Sequence, residues 1–206
     1  VKKKIQYQIG LILLIHIGSE DSMNIFYLHE DPIQNAKWHI DKHIVKMATE
    51  YCQLLSTAHR VIDGEIYTAK TKNNRNIKRW LLPDERENML MKASHINHPS
   101  NIWARETSSN YMYLWKIYMA TLSEYTYRYG KIHGSGKASI TLIRPPKNIK
   151  HGGLTSLPQA MPDYCKVVGN SIQAYKNYYI NEKYYFANWK NRETPEWFKT
   201  KDTMTT

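Results

Sequence analysis

The sequence predicts a mainly α-helical fold: a single compact helical domain with a short N-terminal strand and a long Pro/Gly-rich loop. Three observations lead there. Apolar residues recur at helical spacing at Ile40, Ile44, Met47, Tyr51, Leu54 and Ala58, and again at Tyr111, Leu114, Tyr118, Leu122, Tyr125 and Tyr129. Strand-like patterning is confined to Asn24-Ile25-Phe26-Tyr27-Leu28. Residues 134–170 gather Gly134, Gly136, Pro145-Pro146, Gly152-Gly153, Pro158 and Pro162, which leave little room for regular structure. The chain has 206 residues, enough for one domain with a proper core, and shows no internal repeat and no heptads.

Each element has its own local signal. Lys2-Lys3-Lys4 ahead of Ile9 to Ile15 is basic then apolar, as in a signal peptide. The apolar run is far short of the roughly 20 residues that a membrane-spanning helix needs. Residues 1–22 are therefore expected to be a non-core extension, and no stable membrane association is expected. The domain is expected over 23–198, with a disordered tail at 199–206. Asp31-Pro32 starts a helix, aspartate as cap and proline at the first turn. That helix is expected to run to about Ile62, with a bend near Trp38, and to stop at Asp63-Gly64. Residues 65–79 are polar and basic (Lys70, Lys72, Arg75, Lys78, Arg79), a loop or mobile arm. A short helix is expected within 84–93. Ser108 or Ser109 caps the next long helix and Gly130 closes it. Asn170-Ser171 caps the last one.

Charge and aromatic content point to the partner. The chain has 29 Lys+Arg against 18 Asp+Glu, a formal +11, with 16 Tyr and 6 Trp. A polyanion suits that balance, and aromatic faces among cations can stack unpaired bases, so nucleic acid or a nucleotide is the expected partner. A Lys- and Asn-rich composition inherited from an AT-rich genome gives the same charge without any such partner. Cys52, on the polar side of the first long helix, and Cys165 are the only cysteines, which suits a reducing, cytoplasmic setting.

The candidate site begins with His39, His43, Lys46, Glu50, Gln53 and Thr57, a polar line one position behind the apolar stripe. One position is a rotation of about 100°, so the line should run along the rim of the core. Lys46 is a candidate nucleophile or proton donor, and Glu50 a general base. His39, His43 and His98 would orient them. Two imidazoles four residues apart could also share a divalent metal, with His98, His59, Glu50 or Asp41 as a third ligand. Asp41-Lys42 stands where the glutamate of H-E-x-x-H would be, so a metalloprotease is excluded. Otherwise no cofactor is expected. Asn97-His98-Pro99-Ser100, with Arg105 following, crowds donors at a helix start that could hold an anion. Its simpler role is a capping turn. Arg128 and Lys131, among Tyr125, Tyr127 and Tyr129, could grip phosphate, and Lys147 lies in a loop that could close as a lid. No P-loop, dinucleotide-binding or serine-hydrolase motif occurs.

Several of these blocks occur together and in order: Met23-Asn24-Ile25-Phe26-Tyr27-Leu28, H-x-D-K-H-x-x-K-M at 39–47, Gln53 to His59, N-H-P-S-x-x-W-A-R-E at 97–106, Tyr125 to Lys131 with His133, and Pro158-Gln159-Ala160-Met161-Pro162. In this the chain, over 23–198, resembles a family of short proteins encoded by tailed bacteriophages. The resemblance implies a protein of the infected cell's cytoplasm. Phage pyrimidine-dimer glycosylases have similar size and charge, but the N-terminal amine they use has no counterpart at Met23-Asn24. The leading expectation is an enzyme acting on DNA or nucleotides that cleaves a base–sugar bond with Lys46, Glu50 and the histidines. The alternatives are an accessory protein that binds nucleic acid or a host factor, and a metal-dependent nuclease or hydrolase.

Overall fold

The computed structural model describes residues 23–198; the expected extension at 1–22 and tail at 199–206 lie outside them. In chain order the described residues form α1 (Pro32–Trp38), α2 (Asp41–Asp63), β1 (Glu65–Lys70), β2 (Asn76–Leu81), α3 (Arg86–Met89), α4 (Pro99–Ala104), α5 (Ser108–Tyr129), α6 (Ser139–Leu142) and α7 (Ser171–Tyr178). The fold is mainly helical, with one two-stranded antiparallel sheet.

The long pair α2 and α5 packs together, and α1 lies against α5. The stripe Ile40, Ile44, Met47, Tyr51, Leu54 and Ala58 is fully buried in that contact, as its spacing requires. The bend expected near Trp38 is a complete break. His39 and Ile40 are extended, with ψ of 136° and 157°, and Asp41 starts a new helix. Thr107, not Ser108 or Ser109, caps α5 by accepting the Asn110 N–H at 3.1 Å. Gly130 ends it at φ +64°, where a side chain would be strained.

The expected N-terminal strand does not form. Residues 24–28 have no regular structure and, among the described residues, no strand beside them; Asn24, Ile25, Phe26 and Leu28 are fully buried and Tyr27 partly so. Side-chain amides replace the missing ladder. Asn35 accepts the N–H groups of Leu28 and His29 at 2.7 and 3.2 Å and donates to the Phe26 carbonyl at 3.1 Å. Asn24 accepts the Ile25 N–H at 2.9 Å and donates to the Ala160 carbonyl at 2.7 Å.

Residues 65–81, expected as a loop or arm, are instead a hairpin, with Tyr67 opposite Arg79, Thr68 opposite Lys78 and Lys70 opposite Asn76. Its turn is closed by the Thr71 N–H on the Arg75 carbonyl at 2.9 Å and by Asn74 at φ +56°. The segment 143–162 has no regular structure, yet it is pinned to the body. Asp63 accepts the N–H groups of Lys147 and Asn148, Asn110 accepts that of Thr155, and Tyr175 donates to the Pro158 carbonyl. Gly152 passes so close to Thr107 that a Cβ there would lie 2.9 Å from the Thr107 methyl.

Below the hairpin, Arg60 is completely buried. It donates to the carbonyls of Met91, Trp80, Glu87 and Leu90 and to the Glu87 carboxylate at 2.5 Å. Burial opposes ionisation of Glu87, but Lys92, the Leu82 N–H and Arg60 outweigh it and hold its pKa at about 2. Without Arg60 the carbonyls of Met91, Trp80, Glu87 and Leu90 lose their donor and the loss of its large buried side chain leaves a void, although Glu87 keeps Lys92. Arg60→Ala should therefore lower unfolding free energy by about 3–5 kcal/mol in urea denaturation. A loss under about 1 kcal/mol would mean that this network does not hold the hairpin base to α2.

Candidate functional site

The break at His39 decides the fate of the polar line. Because His39 precedes α2 and has extended backbone, it and His43 are not one helical turn apart on a shared face. Both rings turn into the core and are fully buried. His43 stacks on Phe26, with centroids 4.0 Å apart, and its Nδ1 lies 2.6 Å from the Tyr179 hydroxyl. His39 Nε2 lies 3.3 Å from the Tyr51 hydroxyl. Burial, and then the nearby positive charge of Arg128, pushes the His39 pKa down to about 3. Burial, then His39 and the lysines around it, lowers His43 as well. Both are neutral core imidazoles, and the expected rim position is corrected accordingly. The residues around them give the metal reading no further support: among the described residues no group of three or more His, Cys, Asp or Glu gathers in a way that could hold an ion.

Lys46 and Glu50 do meet, at 3.2 Å, as an i, i+4 pair with 43% and 14% of the side chains exposed. Glu50 also accepts the Met23 N–H at 3.0 Å, which ties the buried 23–28 segment to α2. His43 lies one turn earlier, but its ring faces away into the core. Further along the line, Gln53 donates to the Lys92 carbonyl at 2.6 Å, and the buried Thr57 hydroxyl accepts the Ser94 N–H at 3.3 Å. These polar side chains close backbone groups. Cys52, expected on the polar side, is buried near the Ser135 carbonyl, and both cysteines are free thiols.

The Asn97-His98-Pro99-Ser100 turn is a helix cap. His98 Nδ1 accepts the Ser100 N–H at 3.2 Å, Pro99 opens α4, and Trp103 is buried. Arg105 donates to Asn101 and to the Ile96 carbonyl at 2.6 Å, so it braces the turn. Ser100 is buried rather than presented to a ligand, and Asn97 is exposed. Lys147 is exposed beside Asp84, in a segment strapped down rather than poised as a lid.

Arg128 differs most from expectation. Instead of gripping phosphate it is buried, donating to Glu124 at 2.8 Å, to Asp41 at 2.9 Å, and to the carbonyls of His39 and Lys37 at 2.9 Å each. The buried face of α5 accordingly carries Thr121, Glu124 and Arg128 in its second half, one position earlier than the tyrosine stripe. Lys131, just past the helix end, is exposed. A third internal arginine, Arg86, donates to Asp63 at 2.5 Å, to Asp84 at 2.7 Å, and to His59 Nδ1 at 2.9 Å. His59 Nε2 in turn lies 2.8 Å from the Tyr111 hydroxyl, which donates to the Leu142 carbonyl. Burial and the adjacent Arg86 push His59 down to about 4.

The expected site residues therefore fall into separate places. Lys46 and Glu50 stand at one spot on α2, His39 and His43 lie inside, His98 and Arg105 shape the α4 turn, and Arg128 locks α5. Two grooves among the described residues lie elsewhere. One of about 590 Å³ between α1 and α5 is lined by Ile33, Lys37, Trp115, Met119, Tyr127 and Arg192, with others. One of about 500 Å³ beside it holds Trp38, Lys176 and Trp197. Sequence reasoning also missed the hairpin as a surface. Lys70, Lys72, Arg75, Lys78 and Arg79 have no ion-pair partner among the described residues, and no carboxylate occurs between Ile66 and Pro83. That acid-free run was the available signal.

Compared with protein-family profiles, curated proteins and solved structures, the chain matches none. No helix among the described residues is long and apolar enough to cross a membrane.

The buried histidines set a pH response. Each is neutral in the fold and has an ordinary value of 6.5, so protons bind preferentially to the unfolded chain below that pH. Stability is full above about pH 6.5. It should fall by about 1.4 kcal/mol per pH unit for each such histidine on acidification, before most carboxylates titrate. Urea unfolding at steps between pH 7.5 and 5 measures this: stability should stay level down to about pH 6.5 and fall over the remaining roughly one and a half units. Constant stability over that range would show that the imidazoles are charged or solvated in the fold.

Proposed function

We propose that this protein binds nucleic acid, through cations left unneutralised on its exterior. One observation carries the reading. Arg60, Arg86, Arg128 and Arg192 pair with Asp41, Asp63, Asp84, Glu87 and Glu124, five carboxylates against four guanidiniums. The remaining side chains therefore carry more positive charge than the formal +11 of the whole chain. A surface of that kind attracts a phosphate backbone and releases its condensed counterions on binding.

The geometry supports binding ahead of glycosidic cleavage or metal-dependent hydrolysis. Cleavage at a base needs an amine or carboxylate facing a pocket that admits the flipped nucleotide. Lys46 and Glu50 are paired with each other and Glu50 holds the Met23 N–H, while His39 and His43 are inside and His98 caps α4. The likeness of the motif blocks to short proteins of tailed bacteriophages suits an accessory DNA-binding role in an infected cell.

Fluorescence anisotropy with a labelled DNA fragment tests this. Affinity should drop at least about tenfold between roughly 50 and 200 mM salt, linearly on a log–log scale. Absent binding, or affinity indifferent to salt, would overturn the reading.

A further inference from the structure

The hairpin offers more than charge. In a two-stranded ribbon, side chains directly opposite each other share a face and alternate faces along the strand. The observed register puts Thr68 with Lys78 and Lys70 with Asn76 on one face, and Tyr67 with Arg79 and Ala69 with Ile77 on the other. The first set is four exposed hydrogen-bonding side chains on the distal part of its face, whose base carries Ile66 opposite the buried Trp80. In the second set Ala69 and Ile77 are half-buried, and Arg79 reaches the Ala93 carbonyl at 3.4 Å. Lys72 and Arg75 flank the exposed tip.

Like charges gathered on one ribbon face repel, and no carboxylate of the hairpin beyond Glu65 relieves them. Packing does not ask for this arrangement, because the distal half touches water on nearly every side. An anionic partner would relieve it. Six-residue strands reach about 20 Å, and a two-stranded ribbon fits the roughly 12 Å wide major groove of B-form DNA. The A-form groove of duplex RNA is too narrow and deep to admit one.

We propose that the β1–β2 ribbon enters the major groove of duplex DNA, with Thr68, Lys70, Asn76 and Lys78 toward the base edges and Lys72 and Arg75 on the flanking phosphates. This rests on the nucleic-acid reading above and names its ligand as the B-form duplex. Lysine suits guanine O6 and N7, and asparagine suits adenine N6 and N7. The ribbon is anchored for the purpose, since Trp80 is buried at its base and Arg60 donates to the Trp80 carbonyl at 3.0 Å.

The test compares the full chain with two variants of equal charge loss. One carries Lys70→Ala, Lys72→Ala, Arg75→Ala and Lys78→Ala; the other carries Lys116→Ala, Lys137→Ala, Arg144→Ala and Lys150→Ala, all exposed and remote from the ribbon in sequence. The ribbon variant should lose about 2–4 from the magnitude of the log–log salt slope for duplex DNA, and the other under about 1. Dimethyl sulfate footprinting of the unaltered protein should show protected guanine N7, in the major groove, with adenine N3 still reactive. Equal slopes in the two variants, protection of adenine N3 alone, or equal affinity for duplex RNA would overturn the ribbon proposal while leaving nucleic-acid binding intact. Failure of the unaltered protein to bind DNA at all would remove the wider reading and this one with it.

Discussion

Arg128 is the constraint around which the helices are arranged. Its guanidinium is shut away from water where α1 ends and α2 begins, and it answers the carbonyls of Lys37 and His39 left open by the break between them. Asp41, in the first turn of α2, takes another of its donors and also accepts the Lys190 N–H and the Asn188 side chain. Glu124 shares its carboxylate between Arg128 and Arg192. One buried cation thus joins α1, α2, α5 and the chain near 188–192. An uncompensated charge there would cost several kcal/mol, so these segments are held together by what each supplies to it.

The same logic recurs at Arg60 and Arg86, and it explains how the charges divide. A planar guanidinium with five donors can satisfy carbonyls and carboxylates at once, which a lysine ammonium does less well in a dry site. The interior cations are chiefly arginines and they draw the available carboxylates inward. Among the described residues most lysines other than the buried Lys183 are left outside, and Lys70, Lys72 and Lys78 have no ion-pair partner there. Interior pairing uses one carboxylate more than it does guanidiniums, so it adds only slightly to the positive excess that the composition already carries, and the acid-free hairpin displays part of that excess.

Much of the architecture was legible because it follows from burial at helical spacing. The stripe from Ile40 to Ala58, the Asp31-Pro32 start, the Asp63-Gly64 stop and the Gly130 end all rest on local physics that needs no tertiary information. The misreadings share a cause. His39, His43 and Arg128 read by residue type as polar, hence near solvent, yet each is buried with a partner distant in sequence. His43 needs Tyr179 and Arg128 needs Asp41, pairs separated by 136 and 87 residues. The hairpin escaped for the opposite reason. Its faces are mostly wet, so it lacks the apolar alternation that marks a half-buried strand. Asn35 replacing a strand partner for residues 26–29 is likewise invisible to periodicity. Motif-like blocks such as N-H-P-S and P-Q-A-M-P carry caps and backbone contacts that hold the irregular segments, so local distinctiveness was no guide to chemistry here.

The most direct test is amide chemical-shift mapping of the isotope-labelled protein titrated with a short DNA duplex. Shifts concentrated over residues 67–79, with the amides of His39, His43, Lys46 and Glu50 unmoved, are the result expected of a protein whose basic exterior meets DNA at the ribbon. Shifts clustered instead at 39–50 and 97–105, or none anywhere, would contradict it.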